Sequence, residues 1–163
     1  MDTETNPVRP KARPPAALDA VDRKLLGLLA EDASLSYARL GELLHLSPPA
    51  VHERVKRLRR EGVIRATVAR LDGALMGRTL LAFIHVRTSS FGKDRATLAL
   101  GELPEVEEMH AVTGDACLIL KARTASTAEL EGLLARLHGI EGVLETRSYV
   151  VLSTQVERGP RPL

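Results

Sequence analysis

Apolar residues recur every three or four positions through the first half of the chain, and this spacing predicts three short helices. The first is expected at 19–30 and the second at 37–44, where Gly41, a poor helix former, indicates close contact with another helix. The third follows Ser47 and ends before Gly62, a residue type that favours the left-handed backbone closing many helices. The second and third helices, joined by about three residues, have the dimensions of a helix-turn-helix.

The residues at the helix starts predict how these helices are capped. Asp19 is placed to cap the first helix, and Asp22 follows at the capping-box position. The Ser47 hydroxyl is expected to accept a hydrogen bond from the first turn of the third helix. Pro48 and Pro49 come next, where a missing backbone N–H does little harm.

The second half of the chain changes to alternating apolar stretches interrupted by two helical ones. Strands are expected at 79–87, 106–112, 116–122 and 143–154, and helices at 93–103 and 127–138. The order is therefore βαββαβ, which predicts a ferredoxin-like four-stranded antiparallel sheet with both helices on one face.

Two of these strands carry apolar residues on both faces. The alternating sets are Leu80, Ala82, Ile84 and Val86 against Leu81 and Phe83, and Leu118 and Leu120 against Cys117 and Ile119. Strands that are apolar on both sides need both sides covered, and two helices cover only one face. The other face is expected to be buried by a second copy of the chain, so the sequence predicts a homodimer formed through its second half.

These elements define the expected domain organisation. It comprises a disordered arm at 1–17, a winged helix-turn-helix domain at 18–71, a linker at 72–78, a ferredoxin-like domain at 79–154 and a tail at 155–163. The arm is polar and bears four prolines, a composition that cannot bury a core. Within the first domain, 63–71 is expected to be extended and to form at most a small hairpin or wing. The predicted fold class is therefore α+β.

Composition restricts the class of protein further. Hydrophobic residues make up 44% of the chain and charged residues 27%, as in soluble globular proteins. Cys117 is the only cysteine, so no internal disulfide can form and a reducing cytoplasm is the expected location. No apolar run approaches the roughly 20 residues of a membrane span. Neither metal-ligand spacing, nor a phosphate loop, nor a nucleophile elbow occurs, so no catalytic residue, metal or cofactor is expected.

Basic residues concentrate on and just after the third helix. Seven Lys and Arg residues at 48–70 stand against Glu53 and Glu61, whereas the whole chain has a net charge of +2. A short capped helix with an apolar back and a basic front fits a DNA major groove, and the alternative is a solvated surface helix. Arg54, at the edge of the apolar stripe, either contacts phosphate or pairs with an acid such as Asp22 to hold two helices together.

Four stretches in one order resemble the Lrp/AsnC family, the leucine-responsive or feast/famine transcriptional regulators. They are LDAVDRKLLGLL from Leu18, LSPPAVHERVKRLRREGVI from Leu46, LPEVEEMHAVTGDACLIL from Leu103 and GVLETRSYVVL from Gly142. The resemblance implies a winged helix-turn-helix joined to an amino-acid-sensing domain of ferredoxin-like (RAM/ACT-like) topology. It also implies assembly as homodimers and often as rings of dimers, so a dimer and an octamer are both open alternatives.

Double-stranded DNA is the partner that this resemblance implies. Residues near the start of a recognition helix approach base edges, whereas basic residues further along contact phosphate. The predicted DNA-binding residues are Ser47, Pro49, Ala50, His52 and Glu53 near the start, and Lys56, Arg57 and Arg60, which are expected on phosphate.

The resemblance also implies an effector site for a small amino-acid ligand at Thr113, Gly114, Asp115 and Cys117, because in the family this turn lines a pocket between dimers. The family pattern is Thr-Gly, two variable residues and Asp, but here Cys117 stands where the Asp is usual. Asp115 supplies a carboxylate two residues earlier, placed to pair with an α-ammonium group, and Gly114 lets the backbone approach a ligand. The alternative is a tight turn with Cys117 as ordinary core.

Two other classes of protein share parts of this pattern. Tetrapyrrole decarboxylases resemble the two-domain architecture, but they need a basic pocket with a catalytic His, and the sequence shows no such cluster. RNA-binding modules share the βαββαβ order, but they stack bases on aromatic residues of the central strands. The two central strands here, LLAFIHV and ACLILKA, contain a single aromatic residue, Phe83.

Overall fold

The computed structural model of the protein describes residues 16–89 and 95–162, which divide into two units. The first unit contains the described residues up to Arg70 and the tail from Val156 onwards, and the second is Leu71–Gln155. Most of the predicted arm, 1–15, lies outside the described residues, as do the first residues of the helix expected at 93–103.

Three helices build the first unit: α1 (Ala20–Glu31), α2 (Tyr37–Leu44) and α3 (Pro48–Arg60). Each lies where the apolar spacing predicts it. Their inward faces form one aliphatic core of Leu25, Leu40, Leu44, Val51, Val55 and Leu58. Because this core contains no aromatic residue, its stability depends on close packing of small aliphatic side chains.

The caps of α1 and α3 differ from each other. The predicted capping box is present: the Asp22 N–H donates to Asp19 Oδ1 at 2.7 Å, and the Asp19 N–H donates to Asp22 Oδ2 at 3.1 Å. The predicted hydroxyl cap at Ser47 is wrong, since its side chain makes no capping hydrogen bond. A capping hydroxyl bonds the N–H of the second or third helical residue; the second, Pro49, has none, and the N–H of the third, Ala50, makes no such bond either.

The turn between α2 and α3 is tight because two positions meet unusual backbone demands. His45 adopts a left-handed φ of 55°, a conformation that His tolerates better than most residues. A Cβ on Gly41 would lie 2.5 Å from the Leu46 carbonyl oxygen and 3.6 Å from the Pro48 nitrogen. The close approach predicted at Gly41 is therefore confirmed, although the neighbour is the backbone entering α3.

The chain leaves α3 through a left-handed Gly62, with φ of 76°. The N–H groups of Val63 and Ile64 then donate to the Leu58 carbonyl at 2.9 and 3.2 Å, and both side chains pack against the helical core. Beyond them, the described residues 65–72 contain no strand. The sequence predicted at most a small hairpin or wing here. Neither forms at 65–72, and the segment has irregular structure.

The second unit has the predicted βαββαβ order. Its elements are β1 (Leu80–Thr88), α4 (Arg95–Gly101), β2 (Val106–Ala111), β3 (Leu118–Thr124), α5 (Thr127–His138) and β4 (Val143–Val150). The strands pair antiparallel in the order β2-β3-β1-β4, which places β3 and β1 at the centre. This is the ferredoxin-like topology that the element order implies.

Several strand limits differ from the prediction, by two residues or more in β3 and β4. β3 begins at Leu118 rather than Ala116, because the residues before it belong to the turn after β2. β4 ends at Val150 rather than Thr154. Its partner β1 starts at Leu80, and the last bond between them runs from the Val151 N–H to the Leu81 carbonyl, so residues beyond have no strand to pair with.

The two faces of the sheet have different surroundings, as the alternation predicts. One face packs against α4 and α5 in a core of Ala82, Ile84, Val86, Leu100, Leu118, Leu120, Ala122, Leu130, Leu133 and Leu137. On the other face, here called the open face, Phe83 pairs with Tyr149 across β1 and β4. These two aromatic side chains are 40% and 50% exposed, so the open face presents apolar surface.

Leu58→Ala tests the helical core. Leu58 is 0% exposed in the centre of the first unit, so its truncation should lower the free energy of unfolding by roughly 2–5 kcal/mol and abolish DNA binding by melting the unit. Urea denaturation measures the loss, with Leu43→Ala at a 42% exposed position as the control. A loss under about 1 kcal/mol would contradict this packing.

Candidate nucleic-acid interface and ligand-binding turn

One face of α3 is open to solvent and carries most of the residues predicted to bind DNA. Ser47, Pro49, His52, Glu53, Lys56 and Arg60 are exposed, whereas Ala50 and Arg57 are half-buried. Opposite them, the buried Val51, Val55 and Leu58 fix the rotation of the helix about its axis. The apolar spacing thus brings six of the eight predicted residues to one accessible surface, here called the α3 face.

Behind this face, a buried carboxylate ties α3 to α1. The Asp22 side chain is 1% exposed and accepts two charge-assisted hydrogen bonds, one from Arg57 Nη2 at 2.6 Å and one from Arg54 Nη1 at 2.8 Å. Arg54 Nη1 also donates to Asp19 Oδ2 at 2.6 Å. The four side chains form a single ion cluster between the start of α1 and the middle of α3.

The electrostatics of this cluster favour the charged state throughout. Burial alone raises the pKa of a carboxyl, but Arg57, the Asp19 N–H and Arg54 outweigh it and hold the pKa of Asp22 below its usual value. Hydrogen bonds from the Asp22 N–H and from Arg54 lower the pKa of Asp19. Asp22 therefore stays ionised near neutral pH, and each arginine that faces it is held in place.

This geometry changes the expectation for Arg57. The sequence placed Arg57 on phosphate with Lys56 and Arg60, but its guanidinium is turned towards Asp22 and, at 3.5 Å, towards Glu61. Arg54 follows the second of its two proposed roles, pairing with Asp22 between helices. The sequence offered Asp22 as a partner for Arg54 but not for Arg57, because a partner more than 30 residues away along the chain leaves no local signal.

A ring contact on the same surface was missed by the sequence analysis. Tyr37, the first residue of α2, lies edge-on to His52 of α3, with ring centroids 5.4 Å apart and an interplanar angle of 63°. The signal available beforehand was weak: Tyr37 is one of two tyrosines and opens a helix next to the predicted recognition helix.

The predicted effector turn lies between β2 and β3. Gly114 has a φ of 129°, a conformation that requires glycine, and Thr113 and Asp115 on either side of it are exposed. Cys117 instead packs half-buried against the sheet core, with its thiol 3.8 Å from the Thr88 carbonyl. Cys117 therefore sits behind the turn, in the position that the core alternative describes.

A charged row on the open face adjoins this turn. Arg147 of β4 lies 3.6 Å from the Asp115 carboxylate and 3.1 Å from Glu145, and Glu145 is 2.8 Å from Arg87 of β1. An open concavity of about 540 Å³ beside the row is lined by His85, Ala111, Val112, Thr113, Asp115, Ala116 and Ile119. Arg147 was missed because only the sheet register brings it beside a turn 32 residues earlier.

Other kinds of site receive no support within the described part of the chain. No group of three or more His, Cys, Asp or Glu side chains at 16–89 and 95–162 could hold a metal ion. None of the helices described there has the length and apolar character needed to span a bilayer.

The two units define a class of protein that joins a helix-turn-helix domain to a ligand-binding domain. Residues 18–59 match the AsnC-type helix-turn-helix domain, and residues 81–161 match the Lrp/AsnC ligand binding domain. These two matches cover most of the chain. The chain belongs to the Lrp/AsnC family of transcriptional regulators.

Individual relatives agree with this assignment. The HTH-type transcriptional regulator FL11 of Pyrococcus horikoshii is 31% identical over 146 residues, which cover 90% of this chain and 97% of the relative. The leucine-responsive regulatory protein of Escherichia coli is 34% identical over 146 residues, covering 87% and 89% of the two chains. A transcriptional regulator of Neisseria meningitidis, solved in complex with L-Met, is similar with a TM-score of 0.80 and 30% identity over 87% of this chain and 94% of that one.

The comparisons confirm the family, the fold class and the regulatory function expected from the sequence. All three relatives named above are transcriptional regulators. They give no support to the alternative of a tetrapyrrole decarboxylase of the same architecture.

A pair of substitutions separates the two kinds of basic residue on α3. Arg60 is exposed and has no ion-pair partner among the described residues, so Arg60→Ala should weaken binding to all DNA sequences and lower the salt slope by about 1. The free energy of unfolding of the Arg60→Ala variant should differ from that of the wild type by less than about 0.5 kcal/mol. Arg57→Ala removes one of two partners from a buried carboxylate and should cost about 1–3 kcal/mol of stability.

Fluorescence anisotropy across a salt series and urea denaturation give the two readouts. Equal effects of both variants on stability would contradict the division of roles. An unchanged salt slope for Arg60→Ala would remove Arg60 from the interface.

Proposed function

We propose that the α3 face binds double-stranded DNA in the major groove. The observation that carries this proposal is the exposed row of Pro49, His52, Glu53, Lys56 and Arg60 on a helix whose opposite side is locked into the core. Residues near the start of the helix approach base edges, and the later basic residues contact phosphate. The geometry supports Lys56 and Arg60 as phosphate contacts better than it supports Arg57.

The open face of the sheet supports a homodimer. Phe83 and Tyr149 are 40% and 50% exposed on neighbouring strands, and Leu81 and Ile119 on the same face are half-buried. Burying an apolar sheet face is stabilising. In a two-fold dimer, the open faces of two copies cover each other in an isologous contact. A two-fold dimer implies pseudo-palindromic DNA sites with half-sites about one helical turn, or a multiple, apart.

A small amino-acid effector fits the turn after β2. A free amino acid needs an anion for its ammonium group and a cation for its carboxylate, and Asp115 and Arg147 offer both within one charged row. Their side chains are 81% and 61% exposed, so their mutual ion pair contributes little and a ligand can replace it at small cost. The L-Met complex of the Neisseria relative supports this class of ligand.

The effector is expected to act through assembly. A ligand shifts an equilibrium only by its different affinities for the two states, so it must favour one arrangement of dimers over another. We also propose an octameric ring of dimers, a cytoplasmic location and the domain limits drawn from the sequence.

Phe83→Lys tests the dimer in the full chain. A charge at the centre of a buried sheet face should split the dimer, and sedimentation equilibrium should then show a monomer with unchanged far-ultraviolet circular dichroism. Leu98→Lys is the matched control, because Leu98 is 65% exposed on the helix side of the sheet. A wild type that sediments as a monomer would overturn the proposal, as would a Phe83→Lys variant that stays dimeric.

Calorimetry with each amino acid, beginning with L-Met, tests the effector. Binding to the wild type should disappear in Asp115→Ala and in Arg147→Ala, because each variant leaves one end of the ligand unpaired. Basal DNA binding should persist, since both side chains belong to the second unit. Glu131→Ala, which removes an exposed carboxylate from α5, is the control. If no amino acid binds the wild type at millimolar concentration, the turn has only a structural role and the proposed effector site is wrong.

A further inference from the structure

The start of α3 offers DNA few hydrogen-bonding groups. Pro48 and Pro49 remove the first two N–H groups of the helix, and Ala50 and Val51 carry no polar side-chain atom. A helix start that usually presents several backbone donors to an anion or a base therefore presents fewer here, because Val51 donates to the Ser47 carbonyl and the Ala50 N–H is the one left. After Ser47, the first side chains on this helix that can exchange a hydrogen bond with a base edge are His52 and then Glu53.

His52 is held on two sides although it is exposed. Its ring lies edge-on to Tyr37 at 5.4 Å, and its Nδ1 atom is 3.4 Å from the Glu53 carboxylate. The second ring nitrogen, Nε2, has no hydrogen-bond partner among the described residues. Which ring nitrogen is free is set by what the other one faces, so this arrangement leaves Nε2 for a ligand.

Tyr37 is suited to this role by its place in the fold. It is the first residue of α2, beside the N-terminal half of α3, and it is 36% exposed. Edge-to-face aromatic pairs at this separation have a preferred geometry, so the tyrosine ring restricts the orientations of the imidazole. A side chain that is already oriented loses less conformational freedom on binding, and its discrimination between bases rises accordingly.

We propose that His52 reads one base pair of each half-site through Nε2, and that Tyr37 is a positioning residue that orients the His52 ring for this contact. The inference rests on the proposed binding of the α3 face in the major groove. It assigns specificity to a pair of rings from two helices rather than to the recognition helix alone.

Selection from a random duplex library, followed by affinity measurements on sites changed at single base pairs, tests the proposal. His52→Ala should lose its preference at one base pair per half-site by about 2- to 12-fold, the range for one hydrogen bond. Tyr37→Ala should lose part of the preference at that same base pair, with binding to random-sequence DNA unchanged. Tyr37→Phe should keep the preference, because the ring and not the hydroxyl makes the contact.

Coupling between the two residues separates positioning from a general structural role. In a His52→Ala background, Tyr37→Ala should cause no further loss at the affected base pair, because it acts through the missing ring. Leu43→Ala, at a 42% exposed apolar position on the same helix, is the control and should leave the selected sequences unchanged.

Three results would overturn the proposal. They are an unchanged preference in Tyr37→Ala, a loss spread over several base pairs, and additive losses in the double variant. If the wild type itself shows no preference for duplex DNA over single strands, the proposed DNA binding fails and this inference with it. If the wild type selects a sequence but His52→Ala selects the same one, only this inference fails.

Discussion

The ion cluster around Asp22 is the interaction on which the first unit depends. The buried apolar side chains fix the rotation of α3, and this cluster adds directional contacts between α3 and α1. Asp22 bonds the start of α1 through the capping box and at the same time holds Arg54 and Arg57 of α3. Removing one side of a buried pair is strongly destabilising because a charge is left uncompensated. The orientation of the helix that faces DNA is thereby linked to the cap of the first helix.

The same cluster changes how the charge of α3 should be counted. The sequence shows a dense group of basic residues, and the simplest interpretation assigns all of them to phosphate. Two are turned inward to Asp22, so the cations available to DNA on this helix are those whose side chains remain exposed, such as Lys56 and Arg60. Long-range attraction still reflects the total charge, but direct phosphate contacts depend on the smaller set.

Periodicity predicted most of the fold because helices and strands are set by local patterns. The helix positions, the Asp19 capping box and the sheet order needed only residue spacing and turn signals. What the sequence missed depends on contacts between distant residues: Arg57 with Asp22, Tyr37 with His52, and Arg147 beside the turn. The hydroxyl cap at Ser47 was predicted wrongly, and nothing in the structure explains its absence, because Ala50 keeps the N–H that the caps of α1, α2 and α5 use at the same position. The exposed face of α3 was therefore predictable from residue spacing, whereas these distant contacts were not, and the pairing of Arg54 with Asp22 was only one of two roles that the sequence offered.

The exposed Asp115–Arg147 ion pair is weak, whereas the buried ion cluster at Asp22 is strong, and this difference affects how a ligand can act. Asp115 and Arg147 meet at 3.6 Å in solvent, where an ion pair contributes little, and this is why we propose that a zwitterionic ligand can replace it. Asp22 is buried and doubly paired, so α3 keeps its orientation whatever binds elsewhere. We therefore expect that a ligand at the turn does not reshape the DNA-binding surface. We expect it to change DNA binding by altering the number and spacing of the DNA-binding surfaces in the assembled protein. It does so if the ligand binds one assembly more tightly than another.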